Sequence, residues 1–141
     1  MTRIAILVAL TALMGATACG SDDASPAQVV AQWIAAVSDG DDEAAARLFG
    51  PSATVVQGGV ALTLWGEADA LEWVGALPCA AEIVESETVG NRVTARIALS
   101  DRGSTPCDGP GEQIVVEFVV ADGKIIRLSQ EGAPTGGAVL E

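Results

Sequence analysis

Arg92-Val-Thr-Ala-Arg-Ile-Ala-Leu-Ser100 and Glu112-Gln-Ile-Val-Val-Glu-Phe-Val-Val120 decide how this chain folds. In the first, Val93, Ala95, Ile97 and Leu99 alternate with Arg92, Thr94, Arg96 and Ser100. In the second, Ile114, Val116, Phe118 and Val120 share a side opposite Glu117. A period of two means extended strands with one apolar face each. Ala80–Val89 precedes them as a further β-rich run, and Lys124–Ser129 follows, with Ile126 and Leu128 opposed to Arg127. Gly90-Asn91 and Ala121-Asp122-Gly123 have hairpin-turn chemistry, while Arg102 to Gly111 is a longer Gly/Pro/Cys loop. The four runs predict an antiparallel sheet whose apolar face must be covered. On the other face Arg96, Glu117 and Arg127 are placed to pair across strands. A solvated outer face argues for a monomer or a weak dimer.

The cover is supplied upstream. Ser25-Pro26 opens a helix, with Ser25 as N-cap and Pro26 in the first turn. Val29, Val30, Trp33, Ile34 and Val37 then form a stripe of helical period, ended by Asp39-Gly40. Asp41 or Asp42 caps a second, short helix whose buried side is Ala45, Leu48 and Phe49, and Gly50-Pro51 stops it. Ala53–Val56 and Ala61–Leu64 read as two short strands around Gly58-Gly59. Gly66 leads into a third helix carrying Ala70, Leu71, Trp73 and Val74 before Leu77-Pro78. The expected fold class is α+β: three helices packed on a curved antiparallel sheet, in one domain over residues 26–130.

Residues 1–18 have a different character. Arg3 precedes an apolar run from Ile4 to Met14, and Gly15, Ala16, Thr17 and Ala18 follow, then Cys19. That is a three-part export signal, too short to span a bilayer as a permanent helix. Ala16-Thr17-Ala18-Cys19 resembles the lipobox of bacterial lipoproteins, although Ala16 stands where that family prefers Leu. The resemblance implies that Cys19 receives diacylglycerol and becomes the first residue of the mature protein, held at the outer face of the cell membrane. Several acyl chains are enough for stable anchoring, where one is marginal. Residues 19–25 then form a lipidated polar tether, and residues 131–141, rich in Gly, read as a flexible C-terminal tail.

The chain has 3 cysteines. Assigning Cys19 to lipid leaves Cys79 and Cys107, which in an oxidising compartment are expected to form a disulfide. The order of elements agrees: Cys79 lies just before one strand and Cys107 just after its hairpin partner, so antiparallel pairing brings both to one edge. A catalytic Cys is the rival reading, but the sequence holds no His to lower its pKa.

The formal net charge is -12, and Arg3 is the only charged residue before Cys19. So acidic a surface repels phosphate backbones, which excludes nucleic acid as a partner. With neither His nor Tyr, the sequence lacks the commonest general base, the commonest metal ligand and a frequent oxyanion donor. No metal site and no cofactor is expected. Glu82, Glu85 and Glu87 read as a wet strand face, not as a Ca²⁺ site.

Two helices, a strand pair, a third helix and a four-stranded meander resemble the NTF2-like (SnoaL-like) cone. The phrases that carry the likeness are Val30-Ala31-Gln32-Trp33-Ile34-Ala35-Ala36, Glu43-Ala44-Ala45 into Leu48-Phe49, and Phe118 to Ile125 through Asp122-Gly123. The resemblance implies a pocket between the concave sheet face and the helices. It also implies a spread of functions: isomerases, cyclases, dehydratases, epoxide hydrolases and non-catalytic binding modules. Its catalytic patterns find no good counterpart here. Asp69 and Glu72 sit on the solvated side of the third helix, and Arg96 with Asp101 is the nearest approach to an Arg flanked by carboxylates. The aromatic side chains are the better candidates, and the expected ligand contacts are Trp33, Trp65, Trp73, Phe49 and Phe118, with Trp65 at the cone mouth. The functional expectation is therefore an extracytoplasmic lipoprotein whose domain binds a small apolar ligand or an envelope partner. The alternative is an enzyme acting on a hydrophobic carbonyl compound.

Overall fold

The structure is a computed structural model, and it describes residues 24–130. The leader, Cys19 with most of its tether, and the tail at 131–141 lie outside the described residues. Nine elements follow one another: α1 (Pro26–Ser38), α2 (Asp42–Arg47), β1 (Phe49–Gln57), β2 (Val60–Trp65), α3 (Glu67–Gly75), β3 (Cys79–Val89), β4 (Arg92–Asp101), β5 (Gln113–Ala121) and β6 (Lys124–Gln130). Among the described residues no helix is long and apolar enough to cross a membrane.

The helix starts follow the expected chemistry. Gln28 N donates to Ser25 Oγ at 3.2 Å while Ser25 N donates to the Gln28 side chain at 2.8 Å, a reciprocal cap. Asp41 caps α2 by accepting from Ala44 N at 3.1 Å. The buried stripe of α1 is Val29, Val30, Trp33, Ile34 and Val37, each almost fully withdrawn from water. At about 1.5–3 kcal/mol for burying a large apolar side chain, that stripe is what holds α1 to the sheet.

The strand pair and the meander form one sheet, ordered β2-β1-β6-β5-β4-β3. Its members pair antiparallel except β1 with β6, which run parallel. Two expectations about the strands are corrected. Gly50-Pro51 does not end a helix ahead of a strand at Ala53; β1 already begins at Phe49. Pro51, which has no N–H to donate, falls in the interval between Phe49 and Thr54 where pairing with β6 is interrupted. In β6, the inward residues are Ile125 and Leu128, while Ile126 is 41% exposed. The register with β5 shifts between Val119 and Val120, so one extra residue is accommodated on β6 and Ile126 turns outward. At the β5–β6 turn Asp122 and Gly123 both have positive φ, 53° and 72°, the combination that a two-residue hairpin of the right twist requires.

On the convex face the ion pairs differ in partner from expectation. Glu117 meets Arg92 at 2.7 Å, and Arg96 meets Glu85 at 3.6 Å. Each joins neighbouring strands on a wet surface. The core lies on the other side, between the concave sheet and the three helices, around Phe118, Leu64, Ile125 and Val74.

Candidate functional site

The curvature of the sheet leaves a cavity of about 300 Å³ between the concave face and the helices. Its floor is the inward row already legible in the alternation: Ile97 and Leu99 of β4, Ile114 and Val116 of β5, and Leu128 of β6. Its roof is Trp33, Ile34 and Val37 of α1 with Trp73 of α3. Leu77, Pro78, Cys79 and Ala81 close one side as the chain passes from α3 into β3. Four polar side chains also line it: Gln57, Gln130, Asp108 and Glu112. Gln57 and Gln130 lie at neighbouring strand ends, their side-chain amides 3.4 Å apart.

Trp33 and Trp73 are stacked, with ring centroids 6.3 Å apart and planes 26° apart. Phe49 stands edge-on to both at 5.9 Å, and Phe118 meets Trp33 at 5.7 Å. Four of the chain's five aromatic side chains are therefore one cluster, but only the two indoles belong to the cavity wall. Phe49 and Phe118 are core residues behind them, 7% and 0% exposed. Trp65 is elsewhere. It ends β2 at 72% exposure, because Leu64 takes the inward position and alternation turns the next side chain away. Its backbone N–H donates to Asp69 at 2.9 Å, which gives Asp69 a structural task. Of the five aromatic contacts expected from sequence, Trp33 and Trp73 line the cavity, whereas Trp65, Phe49 and Phe118 do not.

The indole N–H of Trp33 is buried without a hydrogen-bond acceptor. Such a donor forgoes a favourable interaction. Here it lies within an aromatic cluster held by packing.

The loop between β4 and β5 forms the rim. Cys79 and Cys107 are joined by a disulfide, with Cα atoms 4.7 Å apart, as the order of elements requires. Cys107 N donates to Asp101 at 2.9 Å, and Gly111 N donates to Leu99 O at 2.7 Å. The carboxylate of Glu112 folds over Gly109, where an added Cβ would clash with Oε2. A side chain at position 109 would displace it. Asp108 and Glu112 are exposed, and neither joins an ion pair among the described residues.

The pairing of Arg96 with Asp101 does not occur. Arg96 lies on the convex face with Glu85, and Asp101 holds the loop backbone. One residue with a specific role gave no signal in the sequence: Arg102, 9% exposed, opens the loop and faces the ends of the helices. It donates to the carbonyls of Val37 at 2.9 Å, Val74 at 2.9 Å and Leu77 at 3.1 Å. These are carbonyls at the ends of α1 and α3, helices with no basic residue of their own in the last turn. Arg102 fixes the roof relative to the rim.

A scan against protein-family models finds no match, and a search of curated proteins finds none either. Solved structures do match. A polyketide cyclase candidate from Sinorhizobium meliloti is 27% identical, with a TM-score of 0.60 over 74% of this chain and 94% of that one. An NTF2-like protein from Cytophaga hutchinsonii is 14% identical, with a TM-score of 0.65 over 82% and 96%. A Catenulispora acidiphila protein of ketosteroid isomerase-like fold, solved with trimethylamine, is 18% identical, with a TM-score of 0.61 over 78% and 88%. The architecture of this chain, three helices on a curved six-stranded sheet that does not close, is the NTF2-like, ketosteroid isomerase-like fold.

Proposed function

We propose that this protein is an extracytoplasmic lipoprotein, anchored through Cys19, whose NTF2-like domain binds a small apolar ligand between the helices and the sheet. The observation that carries the binding reading is the cavity of about 300 Å³, walled by two stacked indoles and aliphatic side chains. That volume lies at the lower bound of ordinary ligand sites, and a few polar groups among apolar walls is their usual make-up. The anchor rests on the sequence through Cys19. Native mass spectrometry of the protein from its own cells tests the binding reading. A co-purifying apolar compound, released on denaturation, is the expected result. A bare polypeptide mass, together with no uptake of apolar compounds offered afterwards, would refute it.

The alternative is an enzyme acting on a hydrophobic carbonyl compound. The likeness to the Sinorhizobium meliloti protein supports it. Against it stands the position of the acids: Asp108 and Glu112 are the carboxylates in the lining, and both are exposed at the rim. A general base acting on carbon needs its carboxylate within reach of a bound substrate and sheltered from water. If the enzyme reading holds, turnover of a cyclic ketone must be abolished by Asp108→Asn or Glu112→Gln.

A further inference from the structure

The charged side chains in the cavity lining, Asp108 and Glu112, are of one sign. Arg47, Arg92, Arg96, Arg102, Lys124 and Arg127 all lie outside its lining. Arg102 is spent on helix carbonyls and Asp42. Arg47, Arg92 and Arg96 pair with glutamates elsewhere, and Lys124 donates to the Arg47 carbonyl. The rim therefore presents two carboxylates, Asp108 and Glu112, with no neutralising cation in the lining among the described residues, on a chain of net charge -12. The loop carrying both is tied to the sheet by Cys79–Cys107 and by the backbone of Leu99, so the carboxylates are held beside the opening.

We infer that the ligand is an apolar molecule with a cationic head group, of the alkylammonium class, its chain between the indoles and the floor and its head at Asp108 and Glu112. Anionic amphiphiles, fatty carboxylates among them, are rejected, because an anion at the rim meets two like charges and no donor of opposite sign. This inference rests on the apolar-cavity reading above and adds the sign of the head group.

Three ligands of equal chain length separate the two claims: decylammonium, decanol and decanoate, titrated calorimetrically into the full chain and into an Asp108→Asn/Glu112→Gln variant. The expected order in the unmodified protein is decylammonium about tenfold tighter than decanol, and decanoate weaker than both. The preference should shrink in 1 M salt and vanish in the double variant. Equal binding of decylammonium and decanol, or a preference that survives the double substitution, overturns the head-group assignment and leaves the apolar cavity standing. Failure of all three ligands to bind the unmodified protein overturns the cavity reading, and this inference with it.

Discussion

The guanidinium of Arg102 is ion-paired to the carboxylate of Asp42, at the point where the ends of α1 and α3 meet the start of α2. The pair joins the rim loop to all three helices, because the other donors of Arg102 go to carbonyls of α1 and of the α3 exit. Replacing Arg102 by Ala leaves three carbonyls and a half-buried carboxylate without their partner. We expect a loss of about 3 kcal/mol in denaturant unfolding. Arg102→Lys should recover little of it, since one ammonium cannot span the fork that reaches three elements. Asp42→Asn, which keeps an acceptor, should cost less than Arg102→Ala.

The disulfide closes a loop with a sequence separation of 28 residues. In the chain-entropy account, closure of that loop is worth roughly 3–4 kcal/mol. Urea unfolding with and without reductant measures it, and Cys107→Ser should reproduce the reduced curve. A reduced protein as stable as the oxidised one would mean that the hydrogen bonds of Asp101 and Leu99 hold the rim alone.

Trp33 donates no hydrogen bond, so its contribution is shape. Trp33→Phe should cost less than about 1.5 kcal/mol, because no partner is orphaned. Trp33→Ala opens a void beneath Phe49, Phe118 and Trp73 and should cost about 3–5 kcal/mol. Near-ultraviolet circular dichroism would report the loss of the stacked pair in both variants. If Trp33→Phe proved as damaging as Trp33→Ala, the indole N–H would have an acceptor after all.

Much of this arrangement could be read from the chain. The alternation in β4 and β5 assigned Ile97, Leu99, Ile114 and Val116 to one face, and those side chains are the cavity floor. The stripe on α1 likewise named Trp33, Ile34 and Val37, which form the roof. What escaped has physical causes. The bulge that turns Ile126 out and Ile125 in depends on pairing with β5, which a local pattern of period two does not encode. The parallel contact of β1 with β6 joins segments far apart in sequence. Trp65 looked like a pocket residue because it is aromatic, yet the inward demand at Leu64 decided its direction. Arg102 looked like the polar start of a loop; three of its four partners are backbone carbonyls, which leave no trace in side-chain identity, and the fourth, Asp42, lies 60 residues away in sequence.

The anchor is tested apart from the fold. Cells fed an alkyne analogue of palmitate should label the protein and place it in the membrane fraction. Cys19→Ala should lose both label and membrane association. Membrane retention of the variant without label would show that something other than lipid on Cys19 holds the protein there.

The central claim is that the space between the indoles and the sheet is where an apolar ligand sits. Ala81 lines that space and lies opposite Leu99 in the sheet register, so Ala81→Leu fills it from within. The direct measurement is titration of N-phenyl-1-naphthylamine into the full chain and into Ala81→Leu, followed by fluorescence. The account predicts one saturable site in the unmodified protein, weakened about tenfold or more in the variant, with the thermal midpoint little changed. Equal affinity in both proteins, or no saturable site in either, would contradict it.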